Sequence, residues 1–444
     1  MPSNLSPFRR EESPGAPDTP VAPGSDWPVS PRRASVYLGC AVLGYIGIYL
    51  CRKNLSVAIP MIQQDLGVTK AQIGVVASYS TIAYAVGKIF FGPIIDRVGG
   101  RTCFLFALAM VALFGAVGAL SFSLPLLTLC YSANRFTGAA GWGSMVKQVP
   151  DWFPQRHLAL AMAILSLSFV FGGVAALVVA GRIDALTDHN WRAVMGLPSV
   201  LLLAILFISW FVLPRRPAPP VRPASPVGVP APVAPNRLTQ FLALAAIPQF
   251  WVVCGLSFLL TLTRETFNTW TVDFIKTEGG GALTTEVAAF LSTPFDAAGA
   301  LGIILLGWIL DRLTAGRRTA LLFLTLTLLA ALIYELPTLL HQGLTSAIVA
   351  IGFIGFMSYG PYSLLAGILA LEIRGQEYVA TVAGFVDASG YLAGIISGYY
   401  FGRILDSGGY PLGFHFLAGV TLLAAFFSLL LRRSHPSHHQ PASP

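Results

Sequence analysis

The feature that most limits what this chain can fold into is a run of about twenty apolar residues, repeated along almost its whole length. A helix of that length crosses the hydrocarbon of a bilayer, where no water can satisfy a backbone N–H or C=O, so each run must close its own hydrogen bonds. Twelve such runs can be marked, at 34–62, 71–95, 102–122, 124–149, 158–181, 192–213, 246–275, 285–311, 318–338, 345–372, 378–404 and 411–432. Of the 444 residues, 55% are hydrophobic and 11% charged, and the mean hydropathy of +0.69 lies outside the range of a water-soluble globule. The fold class expected is an all-α membrane protein, twelve transmembrane helices in two pseudo-symmetric six-helix bundles.

The remaining segments set the domain plan. Residues 1–33, rich in Pro, Ser and charge, read as a disordered cytoplasmic tail. Residues 34–213 form an N-terminal bundle and 246–432 a C-terminal one, with 433–444 a second tail. Between the bundles, 214–245 contains PRRPAPPVRPASPVGVPAPVAP, too proline-dense for helix and too polar for lipid, and is a linker.

Basic residues gather at one set of helix ends, among them Arg32, Arg33, Arg97, Arg101, Arg156, Arg215, Arg312, Arg317 and Arg318. The opposite ends carry chiefly Lys70, Arg182, Arg192, Lys276 and Arg403. Positive residues stay inside, so both termini are expected in the cytoplasm, on a multi-pass protein of the cell's inner (plasma) membrane. The same distribution accounts for the net charge of +8 without a nucleic-acid partner.

The five cysteines are scattered singly through apolar runs, and three of the seven histidines, His435, His438 and His439, sit in the tail. Neither pattern has metal-ligand spacing, so no metal, cofactor or enzyme chemistry is signalled. Trp142, Trp152, Trp191, Trp251 and Trp308 fall mostly near span ends, where an interfacial belt is the default expectation. A monomer is expected.

The two halves echo each other. GPIIDRVGGR (Gly92–Arg101) follows the second run and GWILDRLTAGRR (Gly307–Arg318) the eighth; GRID (Gly181–Asp184) and GRILD (Gly402–Asp406) follow the fifth and eleventh. Parallel repeats of this kind belong to transporter architectures with a substrate site between the halves near mid-membrane. The G-x-x-x-D-R-x-G-x-R loop resembles the signature of the major facilitator superfamily. That resemblance implies a cytoplasmic gate at Asp96, Arg97, Arg101, Asp311 and Arg312, in which Asp96 and Arg97 hold the halves together when the path opens outward.

Charges within apolar runs are costly, and usually face an internal cavity or a partner. Those singled out are Arg52, Lys53, Lys88, Arg135, Lys147, Arg264, Glu265, Asp296 and Asp387, with Glu372 closing the tenth run. Arg52 and Arg264 occupy similar depths in the first helix of each half, so pairing of the halves should bring them face to face. Helical spacing adds Tyr45, Tyr49 and Ser56 to the face of Arg52, and Thr261, Asn268 and Thr271 to that of Arg264; Lys88 shares a face with Tyr84. Two opposed guanidiniums suit a phosphate, whose oxygens accept bidentate, charge-assisted hydrogen bonds. The alternative is that each arginine is neutralised by a buried acid such as Glu265, Asp296 or Asp387.

Longer stretches carry a narrower likeness. YIGIYLCRKN (Tyr45–Asn54), IAYAVGKIFFG (Ile82–Gly92), FDAAGALGIILLGWILDR (Phe295–Arg312) and YGPYSLLAGILALE (Tyr359–Glu372), followed by ATVAGFVDASGYLAG (Ala380–Gly394), resemble the organophosphate:phosphate antiporter family. The resemblance implies a substrate site at Tyr45, Tyr49, Arg52, Lys53, Tyr84, Lys88, Arg264 and Tyr359, with the arginines on the phosphoryl group. It also matches Asp296 to an acidic position that balances cavity charge. Two departures stand out: ILSLSFVFGG (Ile164–Gly173) offers Ser168 or Phe169 where glycerol-3-phosphate carriers have a histidine, and Glu265 follows Arg264 directly. Glu265 either carries a coupling proton or neutralises its neighbour.

The function expected is a secondary carrier of a phosphorylated organic anion, of sugar-phosphate or glycerol-phosphate type, exchanging it for inorganic phosphate by alternating access. In the empty carrier two positive walls would repel, which would make exchange obligatory. Two alternatives stay open: a proton-coupled symporter of a sugar acid, with Glu265, Asp296 or Asp387 carrying the proton, and a transporter-like sensor of sugar phosphate.

Overall fold

The computed structural model describes residues 27–215, 245–280, 283–366 and 379–431. Most of both tails and of the linker, Arg216, Arg374, Arg432, Arg433 and Glu372 lie outside that set. The described residues are helical throughout, without a strand. The N-terminal half comprises α1 (Pro31–Leu66), α2 (Lys70–Val98), α3 (Gly100–Ala119), α4 (Leu124–Gln148), α5 (Gln155–Leu186) and α6 (Trp191–Val212). The C-terminal half comprises α7 (Pro248–Glu278), α8 (Thr285–Asp311), α9 (Ala315–Gln342), α10 (Leu344–Ala366), α11 (Val379–Tyr391) and α12 (Phe401–Leu430), a π-helical turn at Ile396–Tyr400 joining the last two.

Helix ends follow local chemistry. Pro31 sits in the first turn of α1, where its missing N–H costs nothing, and Gly67 stops that helix with φ 62°. Thr69 then opens α2 through a capping box with Gln72. In α12, Gly409 takes φ 68° and ψ −170°, breaking the helix direction; the apolar stretch around it, Phe385–Leu429, is 45 residues long and thus holds two crossings. Ten stretches among the described residues are long and apolar enough to cross a membrane, including this one. Helix α4, which carries Arg135 and Lys147, is not among them.

Burial runs opposite to that of a water-soluble bundle. Phe207, Phe211, Phe290 and Leu301 are exposed on the outer surface, whereas Asn54, Ser56, Thr261, Arg264 and Asp273 are buried. This is the pattern of a protein whose solvent is lipid and whose polar groups face inward. Trp251 and Trp308 are exposed, as a belt requires, but Trp152 and Trp191 are 2% exposed; the Trp191 ring packs in the core that spans both halves while its Nε1–H donates a 2.8 Å hydrogen bond to Asp65.

The repeat seen in the sequence is also a repeat of packing. In the first half α1 lies on α5, α2 on α4 and α3 on α6; in the second α7 lies on α11, α8 on α10 and α9 on α12. Across the seam α5 packs on α8, and α2 packs on the α11–α12 region. The halves meet unevenly. At the face bearing the α1–α2 and α7–α8 connections (the loop face), one apolar core runs through both halves, joining Ile59 and Ile62 to Phe267, Phe274 and Ala289. Toward the face where α1 begins (the terminus face), Phe104, Leu108, Met145 and Leu165 form a core confined to the first half, and Leu306 and Leu322 a small one confined to the second.

Polar contacts reinforce the loop-face closure. Lys70 of α2 bonds Asp273 of α7 at 2.7 Å and lies over the ring of Tyr410, whose hydroxyl also reaches Asp273. The carboxylate of Asp406 accepts the backbone N–H of Lys70 at 3.0 Å and of Ala71 at 2.8 Å, and Arg182 pairs with Glu286 at 2.9 Å. Backbones touch where α2 crosses the π turn: a Cβ on Gly74 would stand 2.3 Å from the carbonyl oxygen of Gly398.

A candidate anion site between the halves

Between the halves, at the depth of Arg52 and Arg264, lies a cavity enclosing about 630 Å³ of empty space, its mouth included. Tyr49, Arg52, Lys53 and Ser56 of α1 line it, with Ser80 and Thr81 of α2, Tyr131 and Arg135 of α4, Phe169 of α5, Arg264, Glu265 and Asn268 of α7, Tyr359 of α10 and Tyr391 of α11. The two arginines chosen from the sequence therefore do share one opening.

Glu265 organises the charges. Its Oε1 lies 3.9 Å from Arg52 and 3.7 Å from Arg264, and its Oε2 lies 3.7 Å from Arg135. The expectation that Arg52 and Arg264 face each other unpaired is corrected here: the carboxylate sits between them, and a third guanidinium joins from α4. These contacts are too long for hydrogen bonds. Arg135 Nε and Arg264 Nε are buried without a hydrogen-bond partner, as is Asn268 Oδ1. Aromatic faces hold the cations instead. Arg52 lies 4.5 Å from the ring centre of Tyr84 and 5.1 Å from that of Tyr49; Arg135 stands 4.9 Å from Tyr84, and Arg264 is 4.0 Å from Tyr362. The Tyr391 hydroxyl accepts a 3.4 Å hydrogen bond from Arg264.

The lysines are placed differently. Lys53 is paired with Asp296, whose other oxygen accepts the Tyr359 hydroxyl at 2.9 Å. Lys88 is paired with Asp387, whose other oxygen accepts the Tyr362 hydroxyl at 2.7 Å. Both pairs cross the seam, α1 to α8 and α2 to α11, and Lys88, Asp296 and Asp387 do not line the cavity. Tyr45 and Tyr84 border a smaller recess that reaches Arg52 and Arg135 from behind. Phe169, at the position where a histidine was sought, lines the cavity and stacks on Tyr359 with ring centres 6.5 Å apart. At this depth five described cations, Arg52, Lys53, Lys88, Arg135 and Arg264, face three carboxylates, Glu265, Asp296 and Asp387, an excess of two positive charges.

Among the residues expected at the terminus-face gate, the contacts seen stay within one half. Asp96 is exposed and 3.6 Å from Lys147 of α4. Arg101 donates to the carbonyls of Leu213 at 3.0 Å and Trp210 at 2.7 Å, and Arg312 lies 3.9 Å from the ring of Trp308. Arg97 is exposed in the last turn of α2, and the side chain of Asp311 lies outside the described set.

Sequence reasoning noted Arg135 as a buried charge without placing it in the site, and it missed Tyr131, Tyr362 and Tyr391. The charge of Arg135 inside an apolar run was the available signal. The tyrosines gave none that distinguishes them from ordinary span residues.

Comparison with known proteins places this architecture. A "Probable hexose phosphate transport protein" of Chlamydia pneumoniae is 25% identical over 410 residues, 88% of each chain. The "Glycerol-3-phosphate transporter" of Bacillus subtilis is 26% identical over 418 residues, covering 90% of this chain and 92% of that one. The "Membrane sensor protein UhpC" of Escherichia coli is 25% identical, covering 88% and 89%. Among solved structures, an inward-facing, unoccupied bacterial homolog of the human lysosomal transporter Spinster superposes with a TM-score of 0.76 at 17% identity, over 91% of this chain and 98% of the other. The family description "Major Facilitator Superfamily" matches residues 41–398. Together with paired six-helix halves around a central cavity, that match makes this chain a multi-pass membrane protein of the Major Facilitator Superfamily.

Proposed function

We propose that the protein carries phosphorylated organic anions across the membrane, taking inorganic phosphate as counter-substrate. The observation that carries this reading is the arginine cluster: three guanidiniums from both halves converge on one loosely held carboxylate, with buried Nε donors left unfilled. A phosphoryl group offers oxygens to several such donors at once, and its two negative charges match the excess of two positive charges at this depth. A carboxylate ligand would meet only one of those charges. Asn268 Oδ1, an unpartnered acceptor on the same wall, suits a hydroxyl of the organic moiety. The names of the Chlamydia and Bacillus relatives agree with this substrate class.

In this reading the protein works as a monomer in the inner membrane, with the basic terminus face in the cytoplasm. The loop face is then external, and its closure makes the conformation inward-open. Cargo bridging Arg52 and Arg135 to Arg264 draws the halves together at mid-depth, and the seam rocks open on the other side.

The test is ligand stabilisation of the purified protein, followed by counterflow in proteoliposomes. Phosphate esters and inorganic phosphate should raise the melting temperature where sugar acids do not. Uptake should be driven by internal phosphate. Uptake driven by an inward proton gradient alone would indicate the sugar-acid symporter, and ligand stabilisation without flux would indicate a sensor of the kind named for the Escherichia coli relative.

A further inference from the structure

A strict exchanger must be kept from crossing back empty, and mutual repulsion of two arginine walls would provide that barrier. Glu265 lowers it. The residue belongs to α7, yet its carboxylate bridges the seam: Oε1 stands 3.9 Å from Arg52 of α1 and 3.7 Å from Arg264 of α7, while Oε2 stands 3.7 Å from Arg135 of α4. This is the place the phosphoryl group takes in the carrier reading, and the same guanidiniums surround it. Its hold is coulombic only, without a hydrogen bond. A phosphoryl group that fills the unpartnered Nε donors of Arg135 and Arg264 therefore displaces it when cargo arrives.

We infer that Glu265 is a tethered stand-in for the transported anion, bridging the arginines across the seam and offsetting part of their repulsion when the cavity is empty, and so permitting net, one-way movement of phosphate anions alongside exchange. The inference rests on the carrier reading above and adds to it a transport mode. An empty carrier with Glu265 in place presents both halves with the bridge that cargo would otherwise supply. Replacing the carboxylate with an uncharged side chain leaves three buried guanidiniums without an anion, and the halves can then close only around cargo.

The experiment loads proteoliposomes containing the full-length protein with radiolabelled inorganic phosphate. Efflux is followed into phosphate-free medium (net) and into medium containing unlabelled phosphate (exchange). The wild type should show net efflux within about tenfold of exchange, and Glu265→Gln should lower the net-to-exchange ratio about tenfold or more. Glu265→Asp, which keeps the charge on a shorter arm, should retain more of the ratio than the glutamine variant. A wild-type protein that exchanges but shows no net efflux overturns the inference while leaving the carrier reading intact, as does a glutamine variant with an unchanged ratio. Absence of wild-type flux in both modes overturns the carrier reading and the inference with it.

Discussion

The loop-face closure and the central cavity join the same two halves with the same kinds of side chain, yet they use their charges differently. At the closure Asp273 receives Lys70 at 2.7 Å and the Tyr410 hydroxyl as well, and Asp406 receives two backbone N–H groups at 3.0 and 2.8 Å. In the cavity Glu265 meets three arginines at 3.7 to 3.9 Å, and two guanidinium Nε groups have no partner. Charges paired by direct hydrogen bonds from protein groups hold the fold in one conformation, as Asp273 Oδ2 does although its Oδ1 has no partner. Charges whose hydrogen bonds are left open are held ready for something that arrives. Lys53–Asp296 and Lys88–Asp387 fall on the filled side of this division despite their depth, because tyrosine hydroxyls complete each carboxylate.

The sharpest way to break that contrast is to remove the fork that reads phosphate. Arg52→Lys or Arg264→Lys keeps the charge but loses bidentate geometry, and should weaken phosphate binding by about 100-fold, the scale for disrupting a buried hydrogen-bonded charge pair. Ligand stabilisation of the purified variants would measure it, with normal membrane insertion as the control. Near-normal affinity in either would mean that the cavity does not bind phosphate through these groups.

The closure should yield next. Gly74→Val places a side chain where even a Cβ would be 2.3 Å from the Gly398 carbonyl oxygen, so α2 cannot approach the π turn. We expect transport to fall by about tenfold, in the range of overpacking costs, and a cysteine installed at Ser80 to become reactive from the loop face. Unchanged reactivity would show that this crossing does not close the path. Asp273→Asn should act in the same direction but more weakly, by about 1 kcal/mol at the closure, since Lys70 and Tyr410 keep a polar neighbour. The smallest change expected is from Tyr391→Phe, which removes one 3.4 Å hydrogen bond to Arg264 and should lower phosphate affinity by about threefold or less.

Much of the scaffold could be read from the chain, because a lipid solvent imposes a length and a polarity that a single sequence displays. The two arginines could be read for the same reason: an ionic side chain in an apolar run is conspicuous. Helical spacing then told which residues share a face with each, and Tyr49 and Asn268 do line the cavity beside them. Spacing within a helix says nothing about partners across the seam. Glu265 was one of three acids that could pair with either arginine, and spacing could not tell that its carboxylate reaches Arg52 and also Arg135 of the other half. Lys53 and Lys88 read as cavity cations, whereas acids of the opposite half occupy them. The Lys70–Asp273–Tyr410 contact went unread because it joins residues whose helices meet only after the halves assemble.

One detail of the closure reaches beyond it. The carboxylate of Asp406 covers the first amides of α2, Lys70 and Ala71, from the opposite half of the protein. Whenever the halves part on that side these two protons lose their cover and meet water, while Thr69 continues to shield Gln72 one step further along. Deuterium uptake at the start of α2 is therefore a built-in gauge of how often the loop face opens, and it can be read on the unmodified protein with and without cargo.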